Sequence, residues 1–295
     1  MVNPTPDLSI IIVSYNTADL TMACLASVLS AENCGQVIVV DNASTDGSAG
    51  MIQEAFPGVQ VLANTSNRGF AAANNQALPL CRGRYIFFLN PDTKVRPDTF
   101  TSAIAFMDLK PSIGLAGPSI INPDGTRQES VSRRYPGEKF TRGLLQELPG
   151  KIACILGAAM IARTDIIRGL GGFDEAFFLY GEDQDLALRL RKAGFSIGFI
   201  PESVVVHIGG GSEKTTPPTT FWEKKVRAEY LFYEKHYGPE IAARICRADL
   251  RQARFRILIL QLWASLGISG KGDQAKLDKY QAYLNILAGD LSLGG

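Results

Sequence analysis

Cysteine is scarce and scattered in this 295-residue chain. Its five thiols, Cys24, Cys34, Cys81, Cys154 and Cys246, are odd in number and form no Cys-x-x-Cys pair. That argues against a disulfide framework or a zinc ribbon and for a reducing compartment. Histidine is scarcer still, with only His207 and His236, too few for a multi-histidine metal centre. Formal net charge is +1, so no global field selects nucleic acid or an acidic partner. The opening Met-Val-Asn-Pro-Thr-Pro-Asp has no basic region running into an apolar one and does not read as a secretory signal. No apolar stretch reaches the roughly 18–20 residues of a membrane-spanning helix. A cytoplasmic protein is expected. No G-x-G-x-x-G follows the first apolar run, so the dinucleotide fingerprint is missing.

What is present is ordinary globular material. At 46% hydrophobic and 20% charged residues, the chain can bury one large α/β core, with or without an appendage. Short β-branched runs at 8–13, 37–40, 59–62 and 85–89 alternate with helical spacing over 18–30, from about Thr45 or Asp46, and over 70–80. This alternation predicts a parallel sheet. Beyond residue 110 it breaks. Residues 114–118 and 120–121 read as two short strands, 122–150 as loops, and 154–161 as a strand again. A helix through Leu186, Leu190 and Ala193 ends at Gly194, and 197–200 and 204–206 read as separate strands. Residues 209–220 are rich in Gly, Ser, Thr and Pro and predict a loop that closes over a ligand or serves as a linker. From 221 to 288 the spacing is helical.

The stretch Tyr85-Ile-Phe-Phe-Leu-Asn-Pro-Asp-Thr93 organises the rest. Pro91 cannot continue a ladder, so the strand stops and delivers Asp92 at its carboxyl end. In open α/β sheets ligands collect in the crevice at that end. Asp41, Glu182-Asp183 and His207 also follow apolar runs or open a helix. Any one of them alone reads equally well as a cap or a surface group. Together they form two carboxylate stations with different neighbours. One suits a divalent cation held against phosphates, the other a proton taken from a hydroxyl.

At this point the words of the sequence resemble a family. Ser14-Tyr-Asn, Val40-Asp-Asn-Ala-Ser-Thr-Asp-Gly47, Asn67-Arg-Gly-Phe70 with Asn74-Asn75, and Leu89-Asn-Pro-Asp92 are similar to the donor half of family 2 glycosyltransferases. Gly172-Phe-Asp-Glu175, Tyr180-Gly-Glu-Asp-Gln-Asp-Leu186 with Arg189 and Gly194, and His207-Ile-Gly-Gly-Gly-Ser212 resemble the rhamnosyltransferase-like branch. The resemblance covers roughly residues 8–212. It implies an α/β fold of the GT-A type, Rossmann-like, with a mostly parallel sheet. Residues 1–220 would be catalytic, with a nucleotide-sugar half to about 110 and an acceptor half from about 111, and 221–295 a helical C-terminal extension.

The resemblance also implies roles. Asp41 would accept the base N–H of a uracil or thymine, Tyr15 would lie against the base, and Arg68 and Asn74 would line the nucleotide. Asp92 and His207 would bind Mn²⁺ or Mg²⁺ against the diphosphate. Asp183 would be the base that deprotonates the acceptor hydroxyl in an inverting displacement, with Glu182 and Asp185 orienting it, meeting the acceptor or capping the helix. Asn90 stands where the family's first metal-site acid would be, so looser metal dependence is expected. The donor implied is dTDP-L-rhamnose, with UDP-sugars as the alternative. The acceptor would be a glycan or a polyprenyl-diphosphate-linked glycan. A nucleotidyltransferase would want a Gly-rich basic loop after the first strand, and Ser14-Tyr-Asn-Thr is not one. A non-catalytic glycan-binding module would not need Glu182-Asp183.

One further pattern lies outside these words. Arg244, Arg247, Arg251 and Arg254 share a helical face and are followed by Ile257-Leu-Ile-Leu-Gln-Leu-Trp263. This predicts either peripheral membrane contact through 244–263 or a helix packed on the catalytic domain or on a second subunit in a homodimer.

Overall fold

Isoleucine and valine runs bounded by turns form strands because their branched side chains suit a pleat buried on both faces. A computed structural model describes residues 6–209, 216–268, 270 and 272–290, with backbone alone at 289–290. Leu8–Ser14 (β1) is buried along its whole length. It leads to α1 (Ala18–Leu29), β2 (Gln36–Asp41), α2 (Ser48–Ala55), β3 (Gln60–Ala63), α3 (Phe70–Ala77) and β4 (Tyr85–Leu89). Then follow β5 (Thr93–Val95), α4 (Thr99–Leu109), β6 (Ile113–Ile121), β7 (Val131–Ser132), β8 (Cys154–Ile155), β9 (Ala159–Arg163), α5 (Thr164–Gly169), α6 (Glu182–Lys192) and β10 (Ser196–His207).

The main sheet runs β3-β2-β1-β4-β9-β6-β10-β5. β1 pairs in parallel with β2 and β4, β2 with β3, and β6 with β10. β9 lies antiparallel between β4 and β6, and β5 antiparallel on β10. Phe87 and Phe88 point to opposite faces of β4. Phe87 packs edge-on against Phe100, centroids 5.1 Å apart, and Phe88 against Phe173 at 5.0 Å. Truncating either to alanine costs roughly 3–5 kcal/mol.

Five local expectations differ from the structure; the strand expected at 154–161 is two, β8 and β9, in different sheets. The two short strands at 114–118 and 120–121 are one strand, β6, and the two at 197–200 and 204–206 are one strand, β10. The two elements irregularly pair where Pro118 faces Ile200, with a register shift between Ile200 and Val204. Pro118 lacks an N–H, and the bulge carrying Pro201 falls just where that donor is missing. The second helix begins at Ser48, after Gly47 at φ 83°, not at Thr45 or Asp46. Asp46 is used otherwise: Oδ1 accepts from Ser48 N–H at 3.1 Å and Oδ2 from Ala18 N–H at 2.9 Å. The helix at 70–80 ends as α at Ala77 and tightens to a 3₁₀ turn at Leu78–Leu80 around Pro79.

The chain forms two compact units. One holds the sheet with α1–α6. The other holds α7 (Pro218–Tyr237), α8 (Pro239–Ser265) and α9 (Asp273–Asp290), together with Pro136–Gln146 and Leu179–Gly181. Tyr237 OH donates to Pro136 O at 2.7 Å and Arg244 Nη2 to Phe140 O at 2.8 Å. Its core includes Val226, Phe232, Tyr233, Ile245, Leu250, Ala282 and Leu287. Among the described residues no helix is long and apolar enough to cross a membrane. Of the loop predicted at 209–220, residues 210–215 lie outside the described residues.

Candidate functional site

β2 and β4 flank β1, so their carboxyl ends open side by side, with Ser14 opposite Asp41 and Ile12 opposite Leu89. Beyond β1, Tyr15 is exposed and Asn16 turns at φ 51°. Asn16 Oδ1 accepts from Thr45 N–H at 2.8 Å, and Ser44 Oγ accepts from Asn16 N–H. Asp41 is 3% exposed. Its Oδ2 accepts from Ser44 N–H at 3.0 Å, while Oδ1 is buried with no partner among the described residues. Asn42 binds the 64–69 loop: its Oδ1 accepts from Arg68 N–H and Asn64 Nδ2, and its Nδ2 donates to Asn67 Oδ1 and Gly69 O. The loop thus carries Arg68, exposed, beside the end of β2. Asn74 is buried in α3, its amide donating to Phe70 O at 2.9 Å.

Past β4, Asn90 N–H donates to Ala158 O, and Asn90 O accepts from Thr93 Oγ at 2.7 Å. Asn90 Oδ1 is buried without a partner among the described residues. Asp92 is buried, and its backbone O accepts from Ile208 N–H at 2.9 Å. Antiparallel pairing of β5 with β10 sets His207 opposite Thr93. That register explains why residues 115 positions apart meet: His207 Nε2 lies 3.5 Å from Asp92 Oδ1. His207 Nδ1 lies 2.9 Å from Gln128 Oε1.

Asp183 opens α6. Its Oδ2 accepts from Gly157 N–H at 3.0 Å and its Oδ1 from Gln184 N–H at 2.8 Å. A Cβ on Gly157 would come within 3.3 Å of that oxygen, tighter than side chains tolerate comfortably. Residue 157 neighbours Ala158, which holds Asn90. Asp183 is thereby tied within one residue of the loop that meets the Asn-Pro-Asp turn. Carboxylates in a first helical turn are favoured by the helix dipole. Glu182 is buried, and burial first, then the charge of Asp183, pushes its carboxyl well above the usual range. Its Oε2 has no partner among the described residues. Asp185 is fully buried and bound by Arg189 Nε at 2.7 Å, whose other nitrogens donate to Leu170 O and Gly172 O. That ion pair ties α6 to the turn at 170–172.

Asp92 and His207 offer a hard oxygen and an imidazole nitrogen, a donor set that suits Mn²⁺ or Mg²⁺. Among the described residues no cluster of three or more His, Cys, Asp or Glu could hold a metal alone. The remaining ligands would be phosphate oxygens and water, the usual arrangement for such cations. Sequence reasoning missed Gln128 and Asn42. Asn42 sat inside a quoted word, but nothing in a linear pattern marks Gln128.

Residues 9–171, more than half the chain, match the family model described as glycosyl transferase family 2. The chain belongs to that family. It is a nucleotide-sugar-dependent glycosyltransferase. Among curated proteins, the N-acetylglucosaminyl-diphospho-decaprenol L-rhamnosyltransferase of Mycobacterium tuberculosis is 26% identical over 266 residues, covering 79% of this chain and 86% of that protein. The putative teichuronic acid biosynthesis glycosyltransferase TuaG of Bacillus subtilis is 33% identical over 201 residues, covering 63% and 80%. Among solved structures, the mannosyltransferase PcManGT of Pyrobaculum calidifontis, in complex with GDP-Man and Mn²⁺, superposes with a TM-score of 0.61. It is 18% identical and covers 98% of this chain and 87% of that one. The likeness shows a shared GT-A fold, mostly parallel and carried on with C-terminal helices.

Proposed function

We propose that this glycosyltransferase moves L-rhamnose from dTDP-L-rhamnose to a hydroxyl of a polyprenyl-diphosphate-linked glycan, inverting the anomeric carbon. The observation that carries the reading is Asp183, held by two backbone N–H groups one residue from the loop that meets the Asn90–Asp92 turn. In the proposed step Asp183 takes the acceptor hydroxyl proton as its oxygen bonds to the anomeric carbon, and the bond to the diphosphate breaks on the opposite side. Asp41 Oδ1, buried and without a partner among the described residues, suits the N–H of a thymine or uracil, a group that only an acceptor recognises. Asp92 and His207 would hold the cation, which when bound neutralises charge growing on the departing diphosphate. The M. tuberculosis relative supports rhamnose and the lipid-linked acceptor. Release of nucleoside diphosphate from a panel of dTDP-, UDP- and GDP-sugars tests it. Turnover with dTDP-L-rhamnose above the others is expected, and preference for a UDP-sugar would overturn the donor.

A lipid-linked acceptor lies in a membrane, and α8 carries a surface that suits one. Arg247, Arg251, Phe255, Leu258, Leu262 and Leu266 follow one another at three or four residues along one face. All are exposed, and the four apolar ones are each more than half exposed. Arg254 and Arg256 are exposed beside them. A second copy docked in parallel would set arginine against arginine, and an antiparallel one arginine against leucine. Anionic lipid satisfies both halves, at roughly 1 kcal/mol per arginine near the surface. Salt-sensitive binding to phosphatidylglycerol vesicles but not phosphatidylcholine ones is expected, weakened by Arg247, Arg251 and Arg254→Glu. A wild-type protein that ignores both vesicles while dimerising would reassign the stripe.

A further inference from the structure

Gln128 reaches the site through a hairpin. Asn122 N–H donates to Thr126 O and Gly125 N–H to Asn122 O, which reverses the chain, and Gln128 N–H then donates to Ile120 O. Since Ile121 of β6 pairs with Val206 of β10, the reversal carries Gln128 to the end of β10. Its side chain makes three hydrogen bonds there. Nε2 donates to the His207 backbone O at 2.9 Å and to Asn122 Oδ1 at 2.6 Å, and Oε1 lies 2.9 Å from His207 Nδ1.

These contacts fix more than the ring's orientation. A backbone carbonyl only accepts, so the group facing His207 O is the NH₂, and the amide cannot be turned around. Oε1 therefore accepts, and Nδ1 carries the hydrogen. In the neutral imidazole that leaves Nε2 as a lone pair. It faces Asp92 Oδ1 at 3.5 Å, with the two side chains 14% and 7% exposed. Two acceptors set face to face with little water repel each other unless a positive centre lies between them. The other tautomer would place a hydrogen on Nε2, and the pair could then close on itself as an ordinary hydrogen bond.

We propose that Gln128 is a positioning residue that fixes His207 as the Nδ1–H tautomer, so that imidazole Nε2 and the Asp92 carboxylate stand as a preset two-donor site for a divalent cation. The inference rests on the reading of Asp92 and His207 as cation ligands. Partners of this kind orient a ligating imidazole, and their loss weakens metal affinity about 10–100-fold.

Imidazole ¹⁵N NMR of the metal-free full chain at pH 8 tests the tautomer directly. The chain has only two histidines, so His236→Gln completes the assignment. His207 is expected as Nδ1–H in the wild type and shifted toward Nε2–H in Gln128→Leu. Titration with Mn²⁺ alone, followed by electron paramagnetic resonance, should show affinity at least about 10-fold weaker in Gln128→Leu than in the wild type. A wild-type His207 found as Nε2–H overturns the proposal. Loss of Mn²⁺ affinity in His207→Ala without loss in Gln128→Leu overturns the role of Gln128 alone. Unchanged Mn²⁺ affinity in His207→Ala removes the ligand reading, and the proposal with it.

Discussion

Carboxylates are buried in the sheet unit and half-buried in the helical one, and their oxygens meet different fates. In the helical unit, Tyr283 OH donates to Glu229 Oε2 and Tyr230 OH to Asp249 Oδ2, each at 2.9 Å. At the strand ends of the sheet, the buried acceptors Asp41 Oδ1 and Asn90 Oδ1 stand without donors among the described residues, and Glu182 Oε2 at the start of α6 is likewise without a partner. The unpartnered atom found in the helical unit is instead a donor, Arg244 Nε. A buried unpaired acceptor costs about 1–3 kcal/mol, and such costs persist where function needs them. On the proposed reading, N–H donors and cations supplied by a nucleotide and its metal would complete these acceptors. If this contrast is right, changes at the sheet edge show in binding and turnover, and changes in the helical unit show in stability.

The largest effect is expected at Asp183. Asp183→Asn keeps size and both backbone contacts can persist through its side-chain oxygen only in part, but the amide takes no proton at neutral pH. Transfer should fall by about 10²–10⁴-fold with nucleotide affinity unchanged, read by single-turnover transfer beside calorimetric binding of dTDP. Near wild-type transfer would move the base to another carboxylate. Next comes Asp92→Ala, with a fall of about 10²-fold or more in turnover, as for other groups that stabilise developing charge. Because Asn90 is neutral, chelator should leave residual nucleotide binding. Complete loss in chelator would show that the cation carries all of the donor's hold.

Much of this edge was legible beforehand. Asp41 and Asp92 end apolar runs that only buried strands explain, and Pro91 announces where β4 stops. The parallel pairing of β1, β2 and β4 followed from their alternation with helices. The insertion of β9 between β4 and β6 was not legible, because the apolar run at 154–161 says strand but shows neither its break into β8 and β9 nor which neighbours each takes. Continuity of β6 and β10 was hidden by Pro118 and Pro201, each a breaker alone and compatible only because they meet at one bulge. The resemblance implied that Asp185 orients Asp183, meets the acceptor or caps the helix; its ion pair with Arg189 four residues on is visible only in the fold. Gln128 depends on a hairpin and a register that no local spacing encodes.

A smaller effect is expected at Asp41. Asp41→Asn should weaken dTDP and UDP binding by about 10–100-fold, the worth of one charged hydrogen bond of about 1.5–3 kcal/mol, with the melting temperature little changed. Loss of fold without loss of affinity in the folded fraction would place Asp41 with the structural carboxylates.

The smallest effect belongs to the helical unit, and it is one of pH. Glu229 and Asp249 both lie above their ordinary range, burial being the first cause in each; phenol hydrogen bonds from Tyr283 and Tyr230 act the other way. Lys225 and Lys279 also lower Glu229, and Asp249 raises it. A carboxyl whose folded pKa is raised binds more protons in the fold than in the unfolded chain. Its contribution to stability is therefore complete below the unfolded pKa, about 4–4.5, and is lost as pH rises through the folded value. Stability should accordingly decline from acid toward neutral pH through these two groups. Tyr283→Phe removes the strongest of the contacts that favour ionised Glu229, so its decline should be steeper, with an added loss of about 1–3 kcal/mol at neutral pH. Glu229→Gln should flatten its share of the slope. Thermal unfolding of the three proteins between pH 5 and 8, beside dTDP affinity at each pH, reads both halves of the contrast. A Tyr283→Phe protein that unfolds like the wild type but binds dTDP less tightly would mean that the helical carboxylates serve the donor after all.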